Sequence, residues 1–188
     1  MDDTVRIGVT GHRFLAEVEK LEAAVRKALG MIERAFPGRP LVVLCPLAEG
    51  ADRLVAKVVL QRADAALIVP LPLPLEDYLQ DFATPESKAE FQHLLERAAE
   101  VIELPRAPTR EAAYEQVGQY VLDHSDVLVA LYDGQPAQGQ GGTAQVVEQA
   151  LARGLPVVHI KAGNRKPGTT EPTTLGAEQG HLVFHNLP

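Results

Sequence analysis

Five short apolar runs constrain this chain more than any other feature. Residues 41–45 (LVVLC), 65–70 (AALIVP), 127–132 (VLVALY) and 155–160 (LPVVHI) do not alternate apolar with polar positions, and residues 5–10 (VRIGVT) are a short β-branched run that reads as a strand by composition. A strand with one face in water alternates; a strand without alternation is covered on both faces. Between the runs lie amphipathic segments. Val18, Leu21, Val25, Leu29, Ile32 and Phe36 recur at three- and four-residue steps, predicting a helix over 14–35. The helix after Gly50 is expected to turn Ala51, Leu54, Val55 and Val58 inward and Asp52, Arg53, Lys57, Gln61 and Arg62 outward. Thr84-Pro85-Glu86 reads as an N-cap, a first-turn proline and a favourable acid, ahead of Phe91, Leu94, Leu95 and Ala98. Residues 101–104 read as a further short strand. Thr109 caps a helix carrying Ala113, Val117 and Val121, and Thr143 opens one carrying Val146, Val147, Ala150 and Leu151. This order predicts an α/β fold: a Rossmann-like three-layer α/β/α arrangement with a mostly parallel sheet. Right-handed crossovers then gather the post-strand loops on one edge.

With 188 residues the chain suits one such domain. Residues 1–162 are expected to form it. Residues 161–180 change to Gly, Pro, Thr, Asn and charged residues, and 163–188 read as a flexible loop or linker. Within it, 181–185 (HLVFH) read either as a C-terminal edge strand or as a contact with another subunit or domain. Residues 71–82 (LPLPLEDYLQDF) lack a period and read as an ordered loop, with a lid over the sheet edge and a plain connection both open.

The formal net charge of −7 argues against a nucleic-acid binder working by phosphate neutralisation. No run approaches a membrane span, and the acidic start leading into a strand is not a secretory signal. Cys45, the one cysteine, sits in an apolar run and reads as a buried reduced thiol, which fits a cytoplasmic protein. The six histidines are scattered without metal-ligand spacing, so no metal is expected. The first loop lacks GxGxxG, and neither a Walker motif nor GxSxG occurs. No cofactor is therefore assigned. A homodimer is the commonest assembly, and oligomeric state stays open.

Three post-strand loops are chemically unusual. The first holds Thr10, Gly11, His12 and Arg13; the second Glu49, Gly50 and Ala51; the third Asp133, Gly134, Gly139, Gly141, Gly142 and Thr143. Ligands of open α/β sheets sit beyond the carboxyl ends of strands. Gly-rich backbone at a helix start offers free N–H groups to a phosphate. Arg13 is the natural phosphate partner, and Thr143 either bonds a phosphate oxygen or caps its helix. His12 donates to a phosphate or moves a proton. Glu49 and Asp133 are the acids for sugar hydroxyls or for acid/base catalysis, whereas Asp52 reads as a charge favoured by the helix start. Taken singly, each glycine also has a purely structural reading as a turn or cap.

Four ordered stretches, IGVTGHR, LAEGADRLVA, PLPLEDYLQDF and DVLVALYDGQPAQGQGGTAQVVEQALARGLPVV, together resemble the SLOG superfamily across residues 5–160. This is the Rossmann-like, LOG/DprA-like group. The resemblance implies binding of a nucleotide or nucleotide-derived phosphorylated ligand, in a sensor or binding role. Its alternative is a phosphoribohydrolase or nucleosidase that cleaves the N-glycosidic bond of a nucleoside monophosphate. The LOG enzymes carry PGGxGTxxE. Here Gly142-Thr143 matches its GT, and Gly139 matches one earlier glycine. Gln138 and Gln140 depart from the motif, and Val146 stands where its catalytic Glu belongs.

Overall fold

A strand covered on both faces contributes to two cores, and β5 does so. The computed structural model describes residues 3–136 and 142–188. In β5 (Val127–Tyr132), Val127, Val129 and Leu131 join one apolar cluster, while Leu128 and Ala130 join another. That explains why the run shows no alternation. The other strands are β1 (Val5–Gly11), β2 (Leu41–Leu44), β3 (Ala66–Leu71), β4 (Glu100–Glu103), β6 (Val157–Lys161) and β7 (Leu182–His185). They form one sheet in the order β4-β3-β2-β1-β5-β6-β7. All neighbours are parallel except β7, which runs antiparallel to β6. Residues 182–185 thus close this edge of the sheet as an antiparallel strand.

The helices are α1 (Val18–Ala35), α2 (Ala51–Val59), α3 (Leu75–Tyr78), α4 (Pro85–Leu95), α5 (Arg110–Asp123) and α6 (Thr143–Ala152). On one face α1 packs on α2 and α2 on α4; α5 and α6 pack together on the other. The fold is the Rossmann-like three-layer α/β/α arrangement. Thr84 and Thr109 cap their helices, accepting from the Ser87 and Ala112 amides at 3.1 Å. From β1 the chain steps outward to β4 and then returns to place β5 beside β1. That reversal is the topological switch point, where open sheets leave a crevice.

Two expectations need correction. The first helix starts at Val18 rather than near Phe14, because Glu17 takes the left-handed conformation (φ 50°) and breaks the helical path. Asp52 and Arg53 do not face outward: they are 5% and 2% exposed. The α2 helix is covered by α1 and α4, and its first turn is roofed by the segment 71–82 as well. Arg53 is held inside by Nε–H donated to the Leu47 carbonyl (3.0 Å) and Nη1–H donated to the Ser87 carbonyl (2.9 Å) and Glu90 (3.1 Å), while its buried Nη2 has no partner among the described residues. Its guanidinium lies 4.5 Å from the Phe82 ring centroid.

Segment 71–82 is ordered, containing α3 and a 3-10 turn (Leu79–Asp81). Tyr78 and Phe82 bury their rings against Phe91, at centroid separations of 5.0–5.6 Å. The segment is a fixed wall beside the ends of β1 and β2. The Gly- and Pro-rich run after β6 also has internal bonds. Buried Gln179 accepts from the Gly163 amide (2.9 Å) and donates to the Ala16 carbonyl (3.0 Å), tying this run to the approach to α1. Cys45 is buried and free. No helix among the described residues is long and apolar enough to cross a membrane.

Candidate functional site

The loops after β1, β2 and β5 meet at the switch point, and backbone contact joins the first two. The Ala51 amide donates to the His12 carbonyl at 3.1 Å. A Cβ on Gly50 would stand 2.3 Å from that carbonyl oxygen and 2.5 Å from that of Arg13, and Gly50 has φ +79°. A Cβ on Gly11 would stand 2.4 Å from the Ala51 Cβ and 2.5 Å from the Leu131 carbonyl oxygen. Both glycines are demanded by sterics: no larger residue lets these strands and loops approach so closely. The loop after β5 is tied in by His12. The Asp133 amide donates to His12 Nε2 at 3.1 Å, and the Asp133 carboxylate lies 3.6 Å from the same nitrogen. An accepting Nε2 places the neutral ring's proton on Nδ1. Burial lowers the His12 pKa, opposed in part by the Asp133 charge. His12 thus serves as a neutral clasp between two loops.

Two adjoining cavities open here. The first, about 320 Å³, is lined by Val9, Thr10, Gly11, Arg13, Pro46, Ala48 and Asp52 on the β1–β2 side. Tyr78, Asp81 and Phe82 come from the wall segment, Tyr114, Val117, Gly118 and Val121 from α5, and Gly142, Thr143 and Val146 from the start of α6. The second, about 460 Å³, is more polar, with His12, Asp133, Asn164 and Arg165 in its lining. Gly11, Arg13, Gly142 and Thr143 border both cavities and form the waist between them.

The structure therefore gathers Thr10, Gly11, His12, Arg13, Asp133, Gly142 and Thr143 around one crevice. It leaves Glu49, Gly50, Ala51 and Gly134 off both linings. Glu49 is engaged elsewhere: it accepts from Arg13 Nη2 (2.7 Å) and from the Ser87 hydroxyl. Arg13 also donates to the Asp81 carbonyl (3.1 Å), and its guanidinium is half-exposed. Gly139 and Gly141 lie outside the described residues. Gly142 precedes the first turn of α6, and an added Cβ there would meet no atom of the described residues within 4 Å. Thr143 is the first residue of α6, with Gly142 at the cap position, so Thr143 is not the cap.

Sequence reasoning did not single out Tyr78, Asp81, Tyr114 or Arg165, and it read Asp52 as a plain helix-start charge. Asp52 is a buried acid on the cavity. Its Oδ2 accepts from the Ala48 amide at 3.1 Å, and burial raises its pKa to about 7. Asp81 accepts two bonds from Arg110 on Oδ1, at 3.0 and 2.6 Å, while its buried Oδ2 has no partner among the described residues. The signal was present in part: an acid one residue inside a helix that opens on Gly-Ala, and two aromatic residues in a proline-broken segment. Among the described residues no group of three or more His, Cys, Asp or Glu is placed to hold a metal ion.

No family model and no curated protein matches this chain. Among solved structures, the chain is similar to the X-ray structure of TM1055, a structural-genomics target. The TM-score is 0.49 at 15% identity, covering 82% of this chain and 72% of that chain.

Proposed function

We propose that this chain binds a nucleotide or nucleotide-derived phosphorylated ligand across the β1/β5 switch point. The carrying observation is the waist: Gly11, Arg13, Gly142 and Thr143 border a largely apolar cavity on one side and a polar one on the other. A phosphate at the waist would meet the Arg13 guanidinium and the backbone N–H groups at the start of α6. An aromatic base suits the apolar cavity, and sugar hydroxyls suit Asp133. The resemblance to the SLOG superfamily points the same way. Thermal-shift measurement with the nucleoside 5′-monophosphates, beside native mass spectrometry of the purified protein, tests the reading. A co-purified or stabilising nucleotide is expected. Neither a bound species nor a shift contradicts it.

The second reading is cleavage of an N-glycosidic bond, and one observation favours keeping it. Of the two acids proposed for catalysis, Glu49 is occupied by Arg13 and Ser87, but Asp133 lines the polar cavity beside the waist. Val146, at the place of the LOG glutamate, instead gives the first cavity an apolar wall. Release of free base and ribose 5-phosphate from a nucleoside monophosphate, abolished by Asp133→Ala, would establish the reaction. No product from the wild-type chain rules it out.

A further inference from the structure

Residues 163–173 form a tied turn that carries two polar side chains to the polar cavity, Asn164 and Arg165. The two arms of the turn touch. A Cβ on Gly163 would stand 2.2 Å from the Thr173 carbonyl oxygen. The Thr173 amide donates to the Asn164 carbonyl, Arg165 bridges to Pro172, and the Lys166 amide donates to the Glu171 carbonyl at 2.8 Å. Buried Gln179 then fixes the turn to the approach to α1 through the Gly163 amide and the Ala16 carbonyl. Arg165 is thus delivered to the cavity by packed backbone. There it is a cation without an acid. Its guanidinium lies over the Phe14 ring, 5.6 Å from the centroid, and makes no hydrogen bond or ion pair among the described residues. The neighbouring cations differ: Lys166 pairs with Glu171 at 2.6 Å, and Arg13 with Glu49 at 2.7 Å. Among the described lining residues Asp133 is the acid, and it faces His12 and accepts from the Gln135 amide at 3.1 Å. Residues 137–141 (AQGQG) contain no acid.

We infer that Arg165 takes a second phosphate, so that the ligand is of the nucleoside 5′-diphosphate class. The polar cavity lies across the waist from the apolar one. A nucleotide with its base in the apolar cavity and its first phosphate at the waist therefore extends its next phosphate into the polar cavity. A guanidinium over a ring face keeps its in-plane N–H groups for a pair of phosphate oxygens. An unpaired cation on a cleft lining also attracts an anion before contact is made. The assignment rests on the nucleotide reading above and adds a binding residue from outside the three post-strand loops.

The test is calorimetric titration, with EDTA present, of AMP against ADP, GMP against GDP, CMP against CDP and UMP against UDP. At least one diphosphate is expected to bind about fivefold or more tighter than its monophosphate, the scale of one exposed charge-assisted contact. Arg165→Ala should bring that ratio below about twofold while leaving monophosphate affinity unchanged, and Arg165→Lys should restore part of it. Ratios near one in all four pairs overturn the assignment, as does a ratio that Arg165→Ala leaves intact. Equal weakening of monophosphate and diphosphate by Arg165→Ala also overturns it, since Arg165 then serves the first phosphate or only the turn. The wild-type pairs alone can refute the assignment, so it stays falsifiable if a variant misfolds. Monophosphates that bind as well as diphosphates leave the nucleotide reading standing without this assignment; failure of all eight ligands to bind removes both.

Discussion

The glycines at the two sides of the crevice look alike in sequence and do different things. Gly11 and Gly50 sit where backbone meets backbone; an added methyl group would press on carbonyl oxygens at 2.3–2.5 Å. At Gly142, before the start of α6, an added methyl group would meet no atom of the described residues within 4 Å. The β1–β2 side is a locked scaffold that also buries Asp52 and Arg53, while Gly142 on the α6 side has no such close neighbour among the described residues. The comparison teaches that Gly-richness after a strand has two physical origins, close packing and ligand access. Only the three-dimensional surroundings separate them.

The largest expected effect lies in the locked side. Folded Asp52 holds its proton up to about pH 7, against 3.8 for an ordinary aspartate. The folded state therefore binds more protons than the unfolded state between about pH 4 and 7, and stability falls as pH rises through that window. The lost stabilisation is on the order of 4 kcal/mol. Urea denaturation across this window should show a decline that Asp52→Asn flattens. A wild-type profile parallel to that of the variant would remove Asp52 from the buried set.

Next in size is Gly50→Ala. It combines a left-handed backbone with a clash against two carbonyls, together about 2–5 kcal/mol. Gly11→Ala has the clash alone, about 1–3 kcal/mol. Chemical denaturation midpoints check both, and values near wild type would show that the loops are not locked. Arg13→Ala should then weaken a phosphorylated ligand by about 1.5–3 kcal/mol, as expected for loss of a charge-assisted hydrogen bond. Titration calorimetry reads this effect, and equal affinity would take Arg13 out of the site. Smallest is Gly142→Ala, with a stability change within about 0.5 kcal/mol. A loss above 1 kcal/mol there would erase the contrast between the two sides.

Much of the fold was legible from local pattern. Non-alternating runs announced strands covered twice, and Thr84 and Thr109 announced their helix starts. The convergence of Thr10–Arg13 with Gly142-Thr143 followed from chain order and crossover handedness. Asp52 and Arg53 were misread because a helical stripe assumes one buried side. The α2 helix is covered by α1, by α4 and by the wall segment, and no spacing within ten residues records those distant neighbours. Tyr78 and Phe82 were obscure for a related reason: a short helix and a 3-10 turn between prolines leave no period to detect. Glu49 read as a ligand for sugar, yet its partners Arg13 and Ser87 lie 36 and 38 residues away along the chain.

The central claim is that a nucleotide occupies the crevice between β1 and β5. Amide NMR shift mapping during titration with a nucleoside 5′-monophosphate tests it most directly. The account predicts that the amides of Gly11, Arg13, Gly142 and Thr143 move together and saturate. Those of Ser125 and Asp126, in the hollow at the other end of the sheet, should stay still. Saturating shifts at Ser125 and Asp126 with a silent waist would contradict it.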